Sequence, residues 1–274
     1  HCTNLYAIPS QAELAERLVS QIGPGKLLFC NSGAEANETL IKLSRLHGRK
    51  KSETEGKVFR VICAEGGFHG RTFGGMSATG QDKIRQGFAP LVDGFSFARL
   101  NDLEDFAAHL TDETSAVLLE PIQGESGIQV ADDDFLRGLR QLCDDHGILL
   151  MLDEVQCGMG RTGDFFAFER SGIHPDAVAM AKGLGGGFPI GAAWVSSTHA
   201  DLFQPGSHGS TFGGGPVACR AALAVLDAIE EENLLSRVSR LGEEFRGRLD
   251  AIATRHPKLL AGSRGRGFMI GLRL

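Results

Sequence analysis

The chain alternates two hydrophobic patterns. Short runs of nearly continuous apolar residues at 58–63 (VFRVIC), 116–119 (AVLL), 148–152 (ILLML), 177–181 (AVAMA) and 192–195 (AAWV) predict strands buried on both faces. Between and around them, apolar positions recur at helical spacing. Leu14, Leu18 and Ile22 predict a helix opened by a capping box of Ser10 and Glu13 and stopped by Gly23-Pro24-Gly25. Leu40, Leu43 and Leu46 lie in a helix expected from about Gly33 to His47. Phe135, Leu136, Leu139, Leu142 and Cys143 mark another, with Gly147 as its C-cap. After Pro216, helices are expected over 216–231 and 233–254, then a strand over 268–274. Strands alternating with helices predict an α/β fold, a mainly parallel sheet with helices on both faces. Residues 1–231 read as one large domain, and 232–274 as the beginning of a smaller C-terminal α/β domain.

Ligands of such open sheets bind beyond the carboxyl ends of the strands, so the polar residues that follow each apolar run are the candidates for chemistry. ILLML ends in Asp153-Glu154 and AVAMA in Lys182-Gly183, one crossover apart. A lysine acting as nucleophile or base needs a lowered pKa, which partial burial and nearby cations supply. Lys182 is the candidate, and the glycines at 183 and 185–187 allow a ligand close approach. Asn31-Ser32-Gly33-Ala34-Glu35-Ala36 follows the apolar run Leu27 to Cys30 and opens a helix, a place where free N–H groups hold a phosphate. Phe68, after the first strand, suits stacking on a flat ring, and Arg71 suits a substrate carboxylate. Ser210 and Thr211 add hydroxyls in a glycine-rich loop. Taken singly, each has a plainer reading: a strand-end lysine paired with solvent or Asp153, an N-capping Ser32, a packed Phe68, a solvated Arg71, an ordinary turn at 210–214.

Composition narrows the class. Hydrophobic residues make up 42% and charged residues 23%, a globular balance. A formal net charge of −6 gives no electrostatic footprint for nucleic acid. No apolar run approaches the roughly 18 residues of a bilayer span, and no basic-then-apolar signal opens the chain. A cytoplasmic protein without nucleic-acid or membrane partners is expected. The six cysteines form no C-x-x-C pair, which predicts reduced structural thiols and no metal site; Cys157 is expected to be a buried bystander. The phosphate loop of nucleotide hydrolases and the dinucleotide fingerprint are both missing. The chain begins without methionine and stops inside a predicted strand, so further segments are expected beyond both ends.

Six runs in order, SGAEANE (32–38), FHGRT (68–72), EPIQGE (120–125), LDEVQCGMGRTG (152–163), AKGLGGGFPIG (181–191) and HGSTFGGGP (208–216), give a resemblance to the class III aminotransferases, of the ornithine/acetylornithine type. They cover essentially the whole chain. The resemblance implies the pyridoxal 5′-phosphate (PLP) transferase fold of type I and the cofactor PLP. It implies Lys182 as the lysine that carries the cofactor and shuttles the proton, and Asp153 as the partner of its pyridine nitrogen. Ser32, Gly33 and Ala34 would bind the phosphate; Phe68 and Val155 would sandwich the ring; Gln156 would bond its 3′-oxygen. Thr211 would reach the phosphate of a neighbouring subunit, making the active unit a homodimer. Arg71 would hold a substrate carboxylate, and Glu125 would switch between substrates by pairing with an arginine in a C-terminal domain. CNSGAEANE, GMGRTG and PGSHGSTFGG are most similar to acetylornithine-type members, which implies N-acetylornithine as amino donor, 2-oxoglutarate as acceptor, and a place in arginine biosynthesis. Ornithine, 4-aminobutyrate and succinyl-diaminopimelate aminotransferases and glutamate-semialdehyde aminomutases share these elements. A catalytically inactive binding protein of the same fold is the alternative from another class. Ser126 and Gly215 depart from the family's usual glycine and asparagine. Segments that complete the pocket are absent from 1–274, so these residues alone are expected to be a poor catalyst.

Overall fold

The computed structural model describes residue 2, residues 5–52 and residues 54–274. Its strands are β1 (Gly25–Cys30), β2 (Arg60–Ala64), β3 (Phe95–Ala98), β4 (Thr114–Leu119), β5 (Ile122–Gln123), β6 (Gln129–Val130), β7 (Leu149–Asp153), β8 (Ala177–Met180), β9 (Gly191–Ser196), β10 (Gly262–Arg266) and β11 (Met269–Arg273). Its α-helices are α1 (Pro9–Ile22), α2 (Gly33–Lys51), α3 (Phe73–Ala78), α4 (Asp82–Arg85), α5 (Leu103–Ala108), α6 (Asp133–His146), α7 (Pro216–Glu231) and α8 (Leu234–Arg255).

Seven strands form one sheet in the order β1-β9-β8-β7-β4-β2-β3. The block from β8 to β3 is parallel, and β9 runs antiparallel to both β8 and β1. The continuous apolar runs have the expected cause, because both faces are covered. Ile62, Val117, Leu119, Leu150, Leu152, Val178 and Met180 point into one core with α1, α6 and α7. Their neighbours Val61, Cys63, Ala116, Leu118, Leu149, Met151, Ala177 and Ala179 point into a second core under α2. Each fully buried leucine contributes roughly 1.5–3 kcal/mol against exposure.

Several details depart from the sequence reading. Helix α1 starts at Pro9 with Ile8 as N-cap, and Ser10 makes no capping bond. Proline's fixed φ suits the first helical position and moves the start ahead of the Ser10–Glu13 box. Helix α2 continues to Lys51, one turn past His47. The edge strand β3 was not predicted; its FSFA stretch is short and only Ala98 is buried. At the C-terminal end, β10 and β11 form a separate antiparallel hairpin against α8. The polar α8 buries only Gly242 and Ala253.

Candidate active site

The parallel strands end along one edge, and the residues that leave them there surround a cavity of about 470 Å³. The lining includes Ser32, Gly33 and Ala34 from the start of α2, Phe68 and Arg71 from the loop after β2, and Glu120 after β4. Asp153, Val155 and Gln156 after β7 and Lys182 after β8 complete it. Nine of the eleven residues given roles by the resemblance meet here. Glu125 lies next to them, accepting a 3.2 Å hydrogen bond from Gln156 Nε2. Thr211 is apart: it lines a neighbouring cavity of about 420 Å³ with Glu35, Glu38 and His208.

The start of α2 has the geometry of an anion site. Ser32 caps the helix by accepting from Glu35 N–H at 3.2 Å, which leaves the Gly33 and Ala34 N–H groups without intrahelical partners. The plainer role of Ser32 is therefore real, and its hydroxyl oxygen is already engaged. Glu35 turns back to bond Asn31, and Asn31 Nδ2 donates to Ser210 Oγ at 3.1 Å. Gly33 is required by space, since a Cβ there would stand 2.6 Å from Val155 Cγ1. Gly70, at φ +120, brings the loop after β2 within reach of Ala34. Phe68 and Val155 line the same cavity as Gly33 and Ala34.

Asp153 is almost completely buried and heavily braced. Its Oδ2 accepts from Asn37 Nδ2 at 2.7 Å and contacts His69 Nδ1 at 2.8 Å; its Oδ1 accepts from Val155 N–H at 3.0 Å. Burial opposes charge on His69, but the hydrogen bond and charge of Asp153, helped by Glu120, outweigh it and raise the imidazole above its ordinary value. Asp153 thus has behind it an imidazole whose protonated form it favours. Glu120 accepts from the N–H groups of Phe68 (2.9 Å) and Gly124 (3.2 Å). Burial, then the charge of Asp153, push its carboxyl up to about 7 against the opposing pull of His69 and the two N–H donors.

Lys182 stands at φ 41, in the left-handed region that a side chain rarely adopts. Unlike the partial burial expected from sequence, it is exposed at the cavity. The buried strand stops at Met180, one residue before Ala181, and the glycines after Lys182 cover little. Among the described residues no ion pair or side-chain hydrogen bond engages Lys182. Arg71 is also exposed, its guanidinium 5.6 Å from the Phe68 ring centroid. Glu154, on the other face of the sheet, accepts from Ala167 and Phe168 N–H and from the Cys157 thiol. Burial raises Glu154 to about 7 and, with the charge of Glu154, holds Cys157 well above the usual thiol range, so that thiol is inert at neutral pH.

Sequence reasoning passed over Asn37, His69 and Glu120. The rule of inspecting the residue after each apolar run points to Glu120, directly after AVLL. Asn37 and His69 reach Asp153 only through tertiary approach.

A family model described as aminotransferase class-III matches residues 1–274. The acetylornithine aminotransferase of Caldanaerobacter subterraneus subsp. tengcongensis is 46% identical over 271 residues, 99% of this chain and 68% of that protein. Acetylornithine aminotransferase 1 of Bordetella bronchiseptica is 48% identical over 276 residues, covering 100% and 69%. Among solved structures, the ornithine aminotransferase of Toxoplasma gondii superposes with a TM-score of 0.92 at 31% identity, over 97% of this chain and 64% of that one. An amine transaminase from an uncultivated Pseudomonas species, solved in its PLP-bound form, superposes with a TM-score of 0.89 at 30% identity, over 97% and 67%. The chain therefore spans about two thirds of the length of the relatives it matches.

Proposed function

The chain belongs to the class-III aminotransferases, and on that premise we propose that it carries the cofactor-binding part of an enzyme moving the ω-amino group of N-acetylornithine to 2-oxoglutarate with PLP. The observation that carries this reading is the pairing, across two neighbouring strand ends, of exposed Lys182 with braced Asp153, beside the free N–H groups of Gly33 and Ala34. The cavity fits PLP on its own geometry: an anion cradle at one end, a buried carboxylate at the other, and a gap lined by Phe68 and Val155 that a Cβ on Gly33 would obstruct. The names of the relatives support N-acetylornithine as the donor.

When bound, PLP supplies an electron-poor pyridinium ring that withdraws electrons from the substrate carbon being deprotonated. The residues of the chain do the rest. Gly33 and Ala34 N–H groups, with the positive end of α2, hold the phosphate. Asp153 accepts the hydrogen bond of the ring N–H, with His69 and Asn37 fixing its orientation. Phe68 and Val155 fix the ring plane, and Gln156 donates to the 3′-oxygen. Lys182 carries the cofactor, then removes and returns the proton of the substrate carbon. Arg71 holds the substrate carboxylate bidentately, and Glu125, bonded to Gln156, is the group that changes partner between donor and acceptor.

Thr211 lies outside the cavity of its own chain, which supports a homodimer in which it reaches the neighbouring phosphate. Asn31–Ser210 and the contacts of His208 with Thr39 (2.9 Å) and Lys42 (2.7 Å) anchor its loop on α2. Residues 1–231 are read as the cofactor domain and 232–274 as the beginning of a second one, supported by how little α8 buries. A cytoplasmic location is proposed with it; no helix among the described residues is long and apolar enough to cross a membrane.

The test is the visible absorption of the purified, PLP-loaded protein before and after adding N-acetylornithine without keto acid. Conversion of the lysine-bound band to the pyridoxamine form supports cofactor, residue and donor together. A band that N-acetylornithine leaves untouched but ornithine or 4-aminobutyrate converts rejects the donor alone. A protein that shows no band even with added PLP rejects the role of Lys182.

A further inference from the structure

Glu120 leaves β4 at the cavity edge, and the transamination steps above give it no task. Its side chain is buried, and each oxygen has a separate backbone donor: Phe68 N–H on Oε1 at 2.9 Å and Gly124 N–H on Oε2 at 3.2 Å. One carboxylate therefore ties the loop after β2 to the loop after β4. Further bonds stitch the same seam, with Gln123 Nε2 donating to Glu65 O at 2.8 Å and Ser126 Oγ to Gln123 Oε1 at 2.7 Å. Both tied segments border groups that meet the ligands. Phe68 lines the gap beside Val155, and Gly124 precedes Glu125, which bonds Gln156 at 3.2 Å. Burying a second carboxyl beside Asp153 is unfavourable, as its raised titration records. An apolar residue would pack there more easily but could not hold two N–H groups.

We propose that Glu120 is a positioning residue for the transamination described above, its two oxygens fixing Phe68 and the Gly124–Glu125 turn relative to each other. It thereby sets the tilt of the ring between Phe68 and Val155 together with the placement of Glu125. The inference rests on the PLP reading of the cavity. Its distinctive content is that one side chain governs two loops with separate tasks, one at the cofactor and one at the substrate.

Two variants of the PLP-loaded protein test it. Glu120→Gln keeps the shape but replaces one acceptor oxygen with an amide NH2, so one tie is lost. Glu120→Asp keeps a carboxyl with both oxygens but draws them back by one C–C bond, ~1.5 Å, too far to hold both N–H groups. Visible circular dichroism of the bound cofactor reports ring orientation, and single-turnover rates report each half-reaction. Both variants are expected to retain the absorption band, to change its dichroism, and to slow the donor and glutamate half-reactions roughly ten- to hundredfold, the range for losing a buried hydrogen bond. If Glu120→Gln does not fold, Glu120→Asp decides alone. A folded variant with wild-type dichroism and wild-type half-reaction rates overturns the proposal. Absence of the band from the wild-type protein overturns instead the PLP reading beneath it.

Discussion

The two faces of the central sheet are built from the same strands and do different work. Under α2 the strand residues include many small ones, Cys63, Ala116, Ala177, Ala179 and Ala193, so the helix packs close and its N-terminus reaches the strand ends. On the opposite face Leu150, Leu152, Val178 and Met180 meet the aromatic cluster of Phe165, Phe166 and Phe168 and three helices. The adjacent carboxylates Asp153 and Glu154 divide between these faces. Asp153 points to the α2 side and finds Asn37 and His69; Glu154 points away and finds backbone N–H groups and a thiol. Both are buried, but only Asp153 has an imidazole behind it, raised above its ordinary value by that pairing. On the proposed reading, burial alone does not make a carboxylate an active-site group; what stands behind it does.

The largest predicted effect breaks this division on the α2 side. Asp153→Asn removes the charge proposed to face the ring nitrogen, and turnover with N-acetylornithine should fall about a thousandfold, as when a key electrostatic partner is lost. Steady-state kinetics at saturating PLP checks this; loss of less than about tenfold would erase the proposed distinction between the two acids.

On the other face the effect is on stability and its pH dependence. Glu154 titrates at about 7 when folded against 4.5 for an ordinary glutamate, so between these values the folded state binds the extra proton. Its contribution is fully present below about 4.5 and is lost as pH rises through about 7, on the order of 3 kcal/mol. Urea unfolding of wild type and Glu154→Gln across pH 5 to 8 should show the wild type losing stability relative to the variant. Parallel curves would show that Glu154 is ionised throughout. The variant's half-reaction rates should stay within a few-fold of wild type, in contrast to Asp153→Asn.

The smallest effect sharpens the α2 side. Ser32→Ala removes an N-cap and should lower stability by about 1 kcal/mol. If the hydroxyl only caps, PLP affinity should change less than tenfold, whereas a larger loss would make Ser32 a direct phosphate ligand. Thermal unfolding and cofactor titration separate the two.

How much of this was legible beforehand follows the range of the interactions. The buried parallel strands were readable because covering both faces leaves continuous apolar runs, and Asp153 and Lys182 because they interrupt such runs at one edge. Strand β3 was not, since a mostly half-buried edge strand carries no such pattern. The Ser10–Glu13 capping box was outcompeted by Pro9. Asn37 and His69 were hidden because their bonds to Asp153 span 116 and 84 residues, distances over which local pattern says nothing.

The near-contact of Gly33 and Val155 also has an evolutionary consequence. With 2.6 Å between a hypothetical Cβ and the valine methyl, the two positions cannot drift independently: enlarging either fills the space the other needs. A library that varies residue 155 while holding 33 constant leaves the coupled pairs of substitutions unsampled. Any bulkier residue at 33 has to arise after, or together with, a smaller one at 155, so the order of mutations, and not only their identity, decides which pockets this scaffold can reach.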